Sequence, residues 1–383
     1  MEARTARRIP MAPLLDIRAL NRATLDRQLL LRRSDLTAAQ AVHHLVGLQA
    51  QTPHTWYTGL WSRLADYTPQ DTSGLLRDGG LARMALMRST IHLVTADDCL
   101  WLRPLVDPVI ERSTTSAFKR AWGDVDLAAV AAMGRELPAE GPLTFSALGR
   151  GLAERWPDRD PAALAQAVRA YVPLVQVPPR GLWGTSGPVA HTSVENWLGR
   201  PVDPAAEAAD LVLRYLAAFG PATVRDVQKW CGLTRLAEVL DGLRPRLMVF
   251  RDATGRELFD LPDAPRPAPD TPAPARFLYD FDNLLLSHVD RGRVVDANRV
   301  DYTAQDFFTG SPEQPSSVLI DGFVAATWRI RSTREGATLR IRPFRALTGA
   351  EEEDLVDEGT RLLAFTAPGA ATREITIEAP VPG

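Results

Sequence analysis

Hydrophobic positions follow two periods along this chain. Up to about residue 260 they recur three and four residues apart, in short blocks broken by brief extended stretches; beyond it they alternate. The first block spans Ser34 to Gln51. Thr37 and Gln40 form a T-x-x-Q capping box, and Val42, Leu45 and Val46 fall on one helical face, with Gln49 continuing the spacing. Pro53 is expected to stop this helix soon after Gln51. Downstream, Met87–Val94 reads as a strand. Thr95 to Asp98 then caps an amphipathic helix running to about Glu111.

An internal repeat follows. Gly141-Pro-Leu-Thr-Phe-Ser-Ala-Leu148 and Gly220-Pro-Ala-Thr-Val-Arg-Asp-Val227 share the pattern G-P-x-T-x-x-x-aliphatic. A helical block precedes each copy (Leu127–Leu137; Leu211–Phe219) and another follows (Pro161–Tyr171; Thr234–Leu243). Each unit ends in a strand, a glycine turn and a return strand: Leu174–Val177 with Leu182-Trp183, and Leu247–Arg251 with Glu257–Leu261. Helix, Thr-capped helix, helix and hairpin is the order of a winged helix. The segment from Leu36 to Val94 reads as a first, more divergent copy.

Pro262 to Pro274 holds six prolines in thirteen residues, a semi-rigid spacer. After it come alternating stretches at Phe277–Asp280, Arg293–Val295, Ser317–Ile320, Phe323–Ile330, Ala337–Arg342 and Glu374–Ile377, with turn signals at Asp321-Gly322 and Glu335-Gly336 and a helix at Ala350–Phe365. The expected class is therefore α+β: three tandem winged helices followed by a small C-terminal β-barrel. The expected segments are a loose leader (1–20), winged helices at 21–125, 126–203 and 204–262, a linker (263–275) and a β-barrel domain (276–383).

Composition narrows the function classes. The chain has 383 residues, 45% of them hydrophobic and 24% charged, which fits a globular protein. No apolar run reaches membrane-spanning length and the N-terminus has no signal-peptide core, so the expected site is the cytoplasm, with no membrane partner. Two cysteines, Cys99 and Cys231, are too few for a four-cysteine metal or iron–sulfur site. Phosphate-loop, dinucleotide, serine-hydrolase and HExxH motifs are absent, and neither a metal nor a cofactor is expected. Of 44 basic residues only Lys119 and Lys229 are lysine; the other 42 are arginine. The basic surface is therefore guanidinium, suited to bidentate phosphate contacts.

Gly47-Leu-Gln-Ala-Gln-Thr-Pro53 carries the candidate chemistry. If the chain leaves helical geometry here, Gln49 and Gln51 point the same way and make a neutral donor–acceptor pair able to hold a water or a sugar, or to read a base edge. A solvated helix end is the alternative.

Leu48-Gln-Ala-Gln51, Arg88-Ser-Thr-Ile-His-Leu-Val94, Leu182-Trp183-Gly184, Phe281–Arg291 and Val318–Trp328 occur in an order that resembles the AlkZ/YcaQ family of winged-helix DNA glycosylases. The resemblance covers essentially the whole chain from about Arg27. It implies a C-shaped body around duplex DNA and places the family's Gln-Φ-Gln catalytic signature on Gln49-Ala50-Gln51. It implies hydrolysis of the N-glycosidic bond of N7-alkylguanines, including bulky adducts and interstrand crosslinks, and self-resistance to a genotoxic natural product of the azinomycin kind. Without a catalytic lysine, the expected enzyme is monofunctional. The expected partner is double-stranded DNA with alkylated guanine, on the nucleoid, bound by a monomer.

Further DNA contacts are expected from Arg88, and from Thr90 and His92, which lie two apart on the expected strand. His288, Arg291 and Arg293 surround a hairpin-like turn at Gly292 that could enter a minor groove. Half-buried strand residues and an ordinary barrel loop are the respective alternatives. Trp183 reads as a packing residue. Two other functions stay open: a non-enzymatic winged-helix regulator, and a protein that sequesters a DNA-reactive drug.

Overall fold

The computed structural model describes residues 12–296, 316–333 and 335–380. Residues 1–11 of the expected leader and 297–315 of the expected barrel segment lie outside the described residues. A short strand, β1 (Leu14–Leu15), precedes helix α1 (Ile17–Arg27), whose N-cap Asp16 accepts from the Ala19 amide. Then come α2 (Ala38–His44), β2 (Leu48–Gln49), α3 (Thr55–Trp61), α4 (Pro69–Arg77), β3 (Leu81–Ala85), β4 (Ile91–Thr95) and α5 (Ala96–Trp122). The Thr37–Gln40 capping box forms.

Three expectations in this region are corrected. α2 ends at His44, not near Gln51. Val46 and Gly47 take positive φ (54° and 89°) and turn the chain out, so Pro53 is not the stop. Met87–Val94 is not one strand: Arg88 and Ser89 are left-handed (φ 56° and 61°) and form a tight turn between β3 and β4. α5 runs past Glu111 because its far end serves a second core, where Trp122 is buried among Leu148, Leu152 and Leu164 and its indole donates to the Ala163 carbonyl at 2.8 Å.

The repeat units follow. The first contains α6 (Leu127–Glu136), β5 (Leu143–Thr144), α7 (Phe145–Ala153), α8 (Pro161–Tyr171), β6 (Leu174–Val177), β7 (Ala190–Ser193) and α9 (Val194–Leu198). The second contains α10 (Ala208–Phe219), α11 (Val224–Cys231), α12 (Leu236–Leu243), β8 (Met248–Asp252) and β9 (Glu257–Asp260). Thr144 and Thr223, the shared threonines of the repeat, cap α7 and α11. The return strand of the first unit is Ala190–Ser193, not Leu182-Trp183, which lies in the intervening loop. Trp183 packs there at 4.9 Å from Tyr57 and 5.1 Å from Phe365 between ring centroids, contacts distant in sequence that draw it off the hairpin.

After the linker come β10 (Arg276–Phe277), α13 (Asn283–Leu286), β11 (Ser316–Ile320), β12 (Phe323–Ser332), β13 (Gly336–Pro343), α14 (Gly349–Thr366) and β14 (Thr372–Ile377). These strands form a five-stranded curled half-barrel in the order β10-β11-β12-β13-β14. β13 and β14 run parallel, with α14 as the crossover a parallel pair requires. Arg293–Val295 is a turn rather than a strand: the Val294 and Val295 amides both donate to the Arg291 carbonyl at 2.8 Å.

Two features join these parts. A six-stranded sheet, β2-β4-β3-β6-β7-β5, is continuous because β3 and β6 pair antiparallel through Arg83–Gln176 and Met84–Val175. α1 is the second. Its polar residues Asn21, Arg22, Thr24 and Arg27 are buried. Arg27 forms a bidentate pair with Asp260 at 2.6 and 2.9 Å, Arg22 pairs with Asp321, and the Asn21 amide donates to the Arg293 and Gly322 carbonyls at 2.7 and 2.8 Å. Charge inside the protein is tolerated here because each group has a partner.

Candidate active site

The turn after α2 sets the site. The Gly47 amide donates to the Val42 carbonyl at 2.9 Å and closes it. A Cβ at Gly47 would lie 2.6 Å from Val94 Cγ1 and 2.9 Å from the Leu93 oxygen, so only glycine lets the chain pass β4 this closely. The chain then lies along β4: Leu48 is opposite Leu93, Gln49 is opposite His92, and the Ala50 amide donates to the Ile91 carbonyl at 2.7 Å. Leu48 and Ala50 are fully buried in one apolar cluster with Trp56, Tyr57 and Tyr279. Strand alternation puts Gln49 and Gln51 on the other side. Gln49 is buried at 5% exposure, while Gln51 is exposed.

Each glutamine oxygen already has one partner. Oε1 of Gln49 accepts from Nη2 of Arg88 at 2.6 Å, and Oε1 of Gln51 accepts from the Ile91 amide at 3.1 Å. Arg88 also donates to the Trp230 carbonyl on α11. Burial lowers its guanidinium to about 10, so it stays charged at neutral pH. Two left-handed residues in succession cost about 1–3 kcal/mol each. Arg169 of α8 holds the turn by donating to Oγ and the carbonyl of Ser89.

The segment after the linker holds the other side of the motif, and sequence reasoning did not assign it these roles. Asn283 brackets β2 as a further strand would: Nδ2 donates to the Gly47 carbonyl at 2.7 Å, and Oδ1 accepts from the Gln49 amide at 3.4 Å. Asp280 accepts from Thr52 and Thr55 at 2.5 and 2.7 Å, and burial pushes its carboxyl up. Asp282 forms a buried bidentate pair with Arg63 at 2.7 and 2.9 Å. The polar letters of Asp280–Asn283 were the available signal; their targets lie more than 200 residues away.

Of the expected DNA contacts, Arg88 bonds to a glutamine of the motif and His92 stands opposite Gln49 in the strand pair. Thr90 is half-buried and donates through Oγ1 to the Met87 carbonyl, closing its own turn. His92 is buried at 1% exposure; its Nδ1 pairs with the Thr90 carbonyl at 3.0 Å, and burial and then Arg88 lower it to about 3. It is a neutral strand residue, not a surface contact. His288 and Arg293 are also corrected. Among the described residues no hairpin forms around Gly292, and both side chains turn inward because buried carbonyls await them. His288 Nε2 pairs with the Phe219 carbonyl at 3.1 Å, and burial and then Arg293 hold its ring well below the usual range. Arg293 donates to Thr24 and to the Pro221 carbonyl at 3.1 and 3.0 Å. Arg291 is half-buried beside them and caps the turn with its carbonyl.

Two residues beyond Gln51 begins a groove of about 460 Å³. Pro53, His54 and Thr55 line it, and Trp183, Trp328, Arg329 and Arg331 are among its other lining residues. It is open enough to take a nucleotide-sized group and bears guanidinium and aromatic faces. Among the described residues no group of three or more histidine, cysteine or acidic side chains could hold a metal ion.

A mixed α+β body thus presents the exposed Gln51 amide two residues from an arginine-bearing groove. The structure of Streptomyces sahachiroi DNA glycosylase AlkZ shares the fold, with a TM-score of 0.72 and 18% identity over 95% of this chain and 100% of that one. The family of AlkZ-like DNA glycosylases matches residues 42–365, and the chain belongs to that family of DNA-repair glycosylases. No curated protein matches it by sequence. No helix among the described residues is long and apolar enough to cross a membrane.

Proposed function

We propose that this chain hydrolyses the N-glycosidic bond of N7-alkylguanine in duplex DNA, bulky adducts and interstrand crosslinks included, as a monofunctional and monomeric glycosylase. The segments 21–125, 126–203 and 204–262 act as three winged helices that, with 276–383, form a C-shaped clasp around DNA on the nucleoid. Self-resistance to a genotoxic natural product is the accompanying biological role. The observation that carries this reading is the placement of Gln49 and Gln51 on one side of an extended segment, with no carboxylate in the motif.

The chemistry needs little else. An N7-alkylated guanine is cationic, so it leaves with the C1′–N9 electrons and requires no proton. The sugar passes through an oxocarbenium-like state; a water oxygen bonds to C1′ and its proton goes to solvent. A carbonyl oxygen has two lone pairs, so Oε1 of Gln51 can still accept from that water while bound to Ile91. Gln49 has a different part. Its oxygen faces a guanidinium, which disfavours a cation there, and it offers the DNA its Nε2 hydrogens. Gln51 thus holds the water and faces the developing positive charge.

Base release from duplexes carrying N7-methylguanine, and from one carrying a bulky N7-guanine adduct, tests the reading, with Gln51→Ala alongside. Released base that disappears in the variant is expected. Duplex that is bound but never loses a base would leave a DNA-binding protein instead.

A further inference from the structure

The half-barrel gathers four arginines on one exposed face of two paired strands. β12 and β13 are antiparallel partners, with Arg329 directly opposite Arg340, Thr327 opposite Arg342 and Arg331 opposite Thr338. Ala326, Trp328, Leu339 and Ile341 alternate with these residues and pack with α14. Strand alternation therefore puts Arg329, Arg331, Arg340 and Arg342 together on the opposite face, and all four are exposed. Like charges directly opposite each other destabilise a sheet. Overall charge does not explain them, because the chain carries a net −3. Glu378 lies 3.1 Å from Arg340 on the same face.

The ladder also has a position. Its four arginines line a cavity of about 190 Å³, and that cavity shares Trp328, Arg329 and Arg331 with the groove that begins at Pro53 and His54. One surface therefore runs from the loop after Gln51 to the arginines. Planar guanidiniums fit phosphate oxygens bidentately, so a row of four on one face matches a row of backbone phosphates. We propose that Arg329, Arg331, Arg340 and Arg342 bind consecutive phosphates of the duplex to one side of the lesion, fixing the register in which the damaged nucleotide meets Gln51. This rests on the reading of the chain as a glycosylase acting on duplex DNA.

The test is fluorescence anisotropy with undamaged duplex DNA across a salt series, comparing the full chain with Arg331→Gln/Arg342→Gln and Arg331→Lys/Arg342→Lys. Each lost phosphate contact lowers the slope of log affinity against log salt by about 0.9. The glutamine variant should lose about 1.8 of slope and bind on the order of tenfold more weakly at low salt, while the lysine variant keeps the slope. The melting temperature of the glutamine variant should change little, since Arg331 and Arg342 are exposed and each faces a threonine. An unchanged slope in the glutamine variant overturns the proposal, and so does an equal loss in the lysine variant. The duplex is undamaged, so binding is read without catalysis. A slope loss with no base release from damaged DNA supports the ladder and sinks the hydrolytic reading; a wild-type chain that does not bind duplex sinks both.

Discussion

Arg88 donates through Nη2 to Oε1 of Gln49 at 2.6 Å, so the buried glutamine of the motif is held by a charge from a left-handed turn thirty-nine residues downstream. The same guanidinium reaches the Trp230 carbonyl, tying the site to α11. The two glutamines are therefore not equivalent, although the sequence writes them as a symmetric pair.

Gln51→Ala removes the exposed amide and is expected to slow single-turnover base release by about 10²–10³-fold, the cost of losing one preorganised polar group. Duplex affinity should change little, because Gln51 contributes no charge. A loss confined to affinity would assign Gln51 to binding instead.

Gln49→Ala leaves the Arg88 charge facing the sugar that becomes cationic. Arg88→Ala instead frees the Gln49 amide to rotate. The pair should therefore be non-additive: Gln49→Ala/Arg88→Ala is expected to release base about tenfold faster than Gln49→Ala alone. Arg88→Ala should also cost about 1–3 kcal/mol of stability, because the Trp230 carbonyl loses its donor. Urea unfolding measures the second effect and single-turnover kinetics the first. Additive rate losses would show that the charge plays no part.

Gly47→Ala is expected to lose about 2–3 kcal/mol, since it combines a positive φ of 89° with a Cβ 2.6 Å from Val94. Urea midpoints with an unchanged m-value would measure it. Activity should fall further than stability accounts for, because the same turn aims Gln49.

Stability should depend on pH through buried histidines. His92 and His191 are lowered to about 3 and about 4 by burial, and His288 is depressed as well. Each stays neutral in the fold, whereas in the unfolded chain each takes a proton below about 6.5. The unfolded state therefore binds more protons between about pH 6.5 and about pH 4. The fold is fully stable above that window and weakens as pH falls through it. Urea midpoints from pH 7.5 to 4.5 check this, and His92→Gln should flatten the curve. Base release, with no titrating group in the motif, should stay level from about pH 6.5 to 8.5.

Local signals in the sequence were enough for the elements whose causes are local. The Thr37–Gln40 box, the Thr144 and Thr223 caps, the helices expected at 127–137 and 161–171, the Asp321-Gly322 turn and the strands expected at 317–320, 323–330 and 337–342 stand within a residue or two of where the pattern put them. The extended path of Gln49-Ala50-Gln51 was legible as a condition, because two amides around a small residue share a side only if the helix has ended. What ended it, the left-handed Val46-Gly47 turn, depends on the approach of β4.

Other features had no local cause and were decided by the tertiary structure. The start of α1 falls in the stretch expected as a loose leader (1–20), yet the helix is ordered because Arg27, Asn21 and Gln28 find partners at Asp260, Arg293 and Ala218 that no spacing rule can reach. Histidines and arginines near a glycine read as an exposed basic turn, yet His288 and Arg293 are drawn inward by carbonyls from distant segments. Periodicity encodes which side of an element is apolar. It does not encode which polar group elsewhere will meet a charged side chain, and that meeting is what set Arg88 on Gln49 and Asn283 across Gly47.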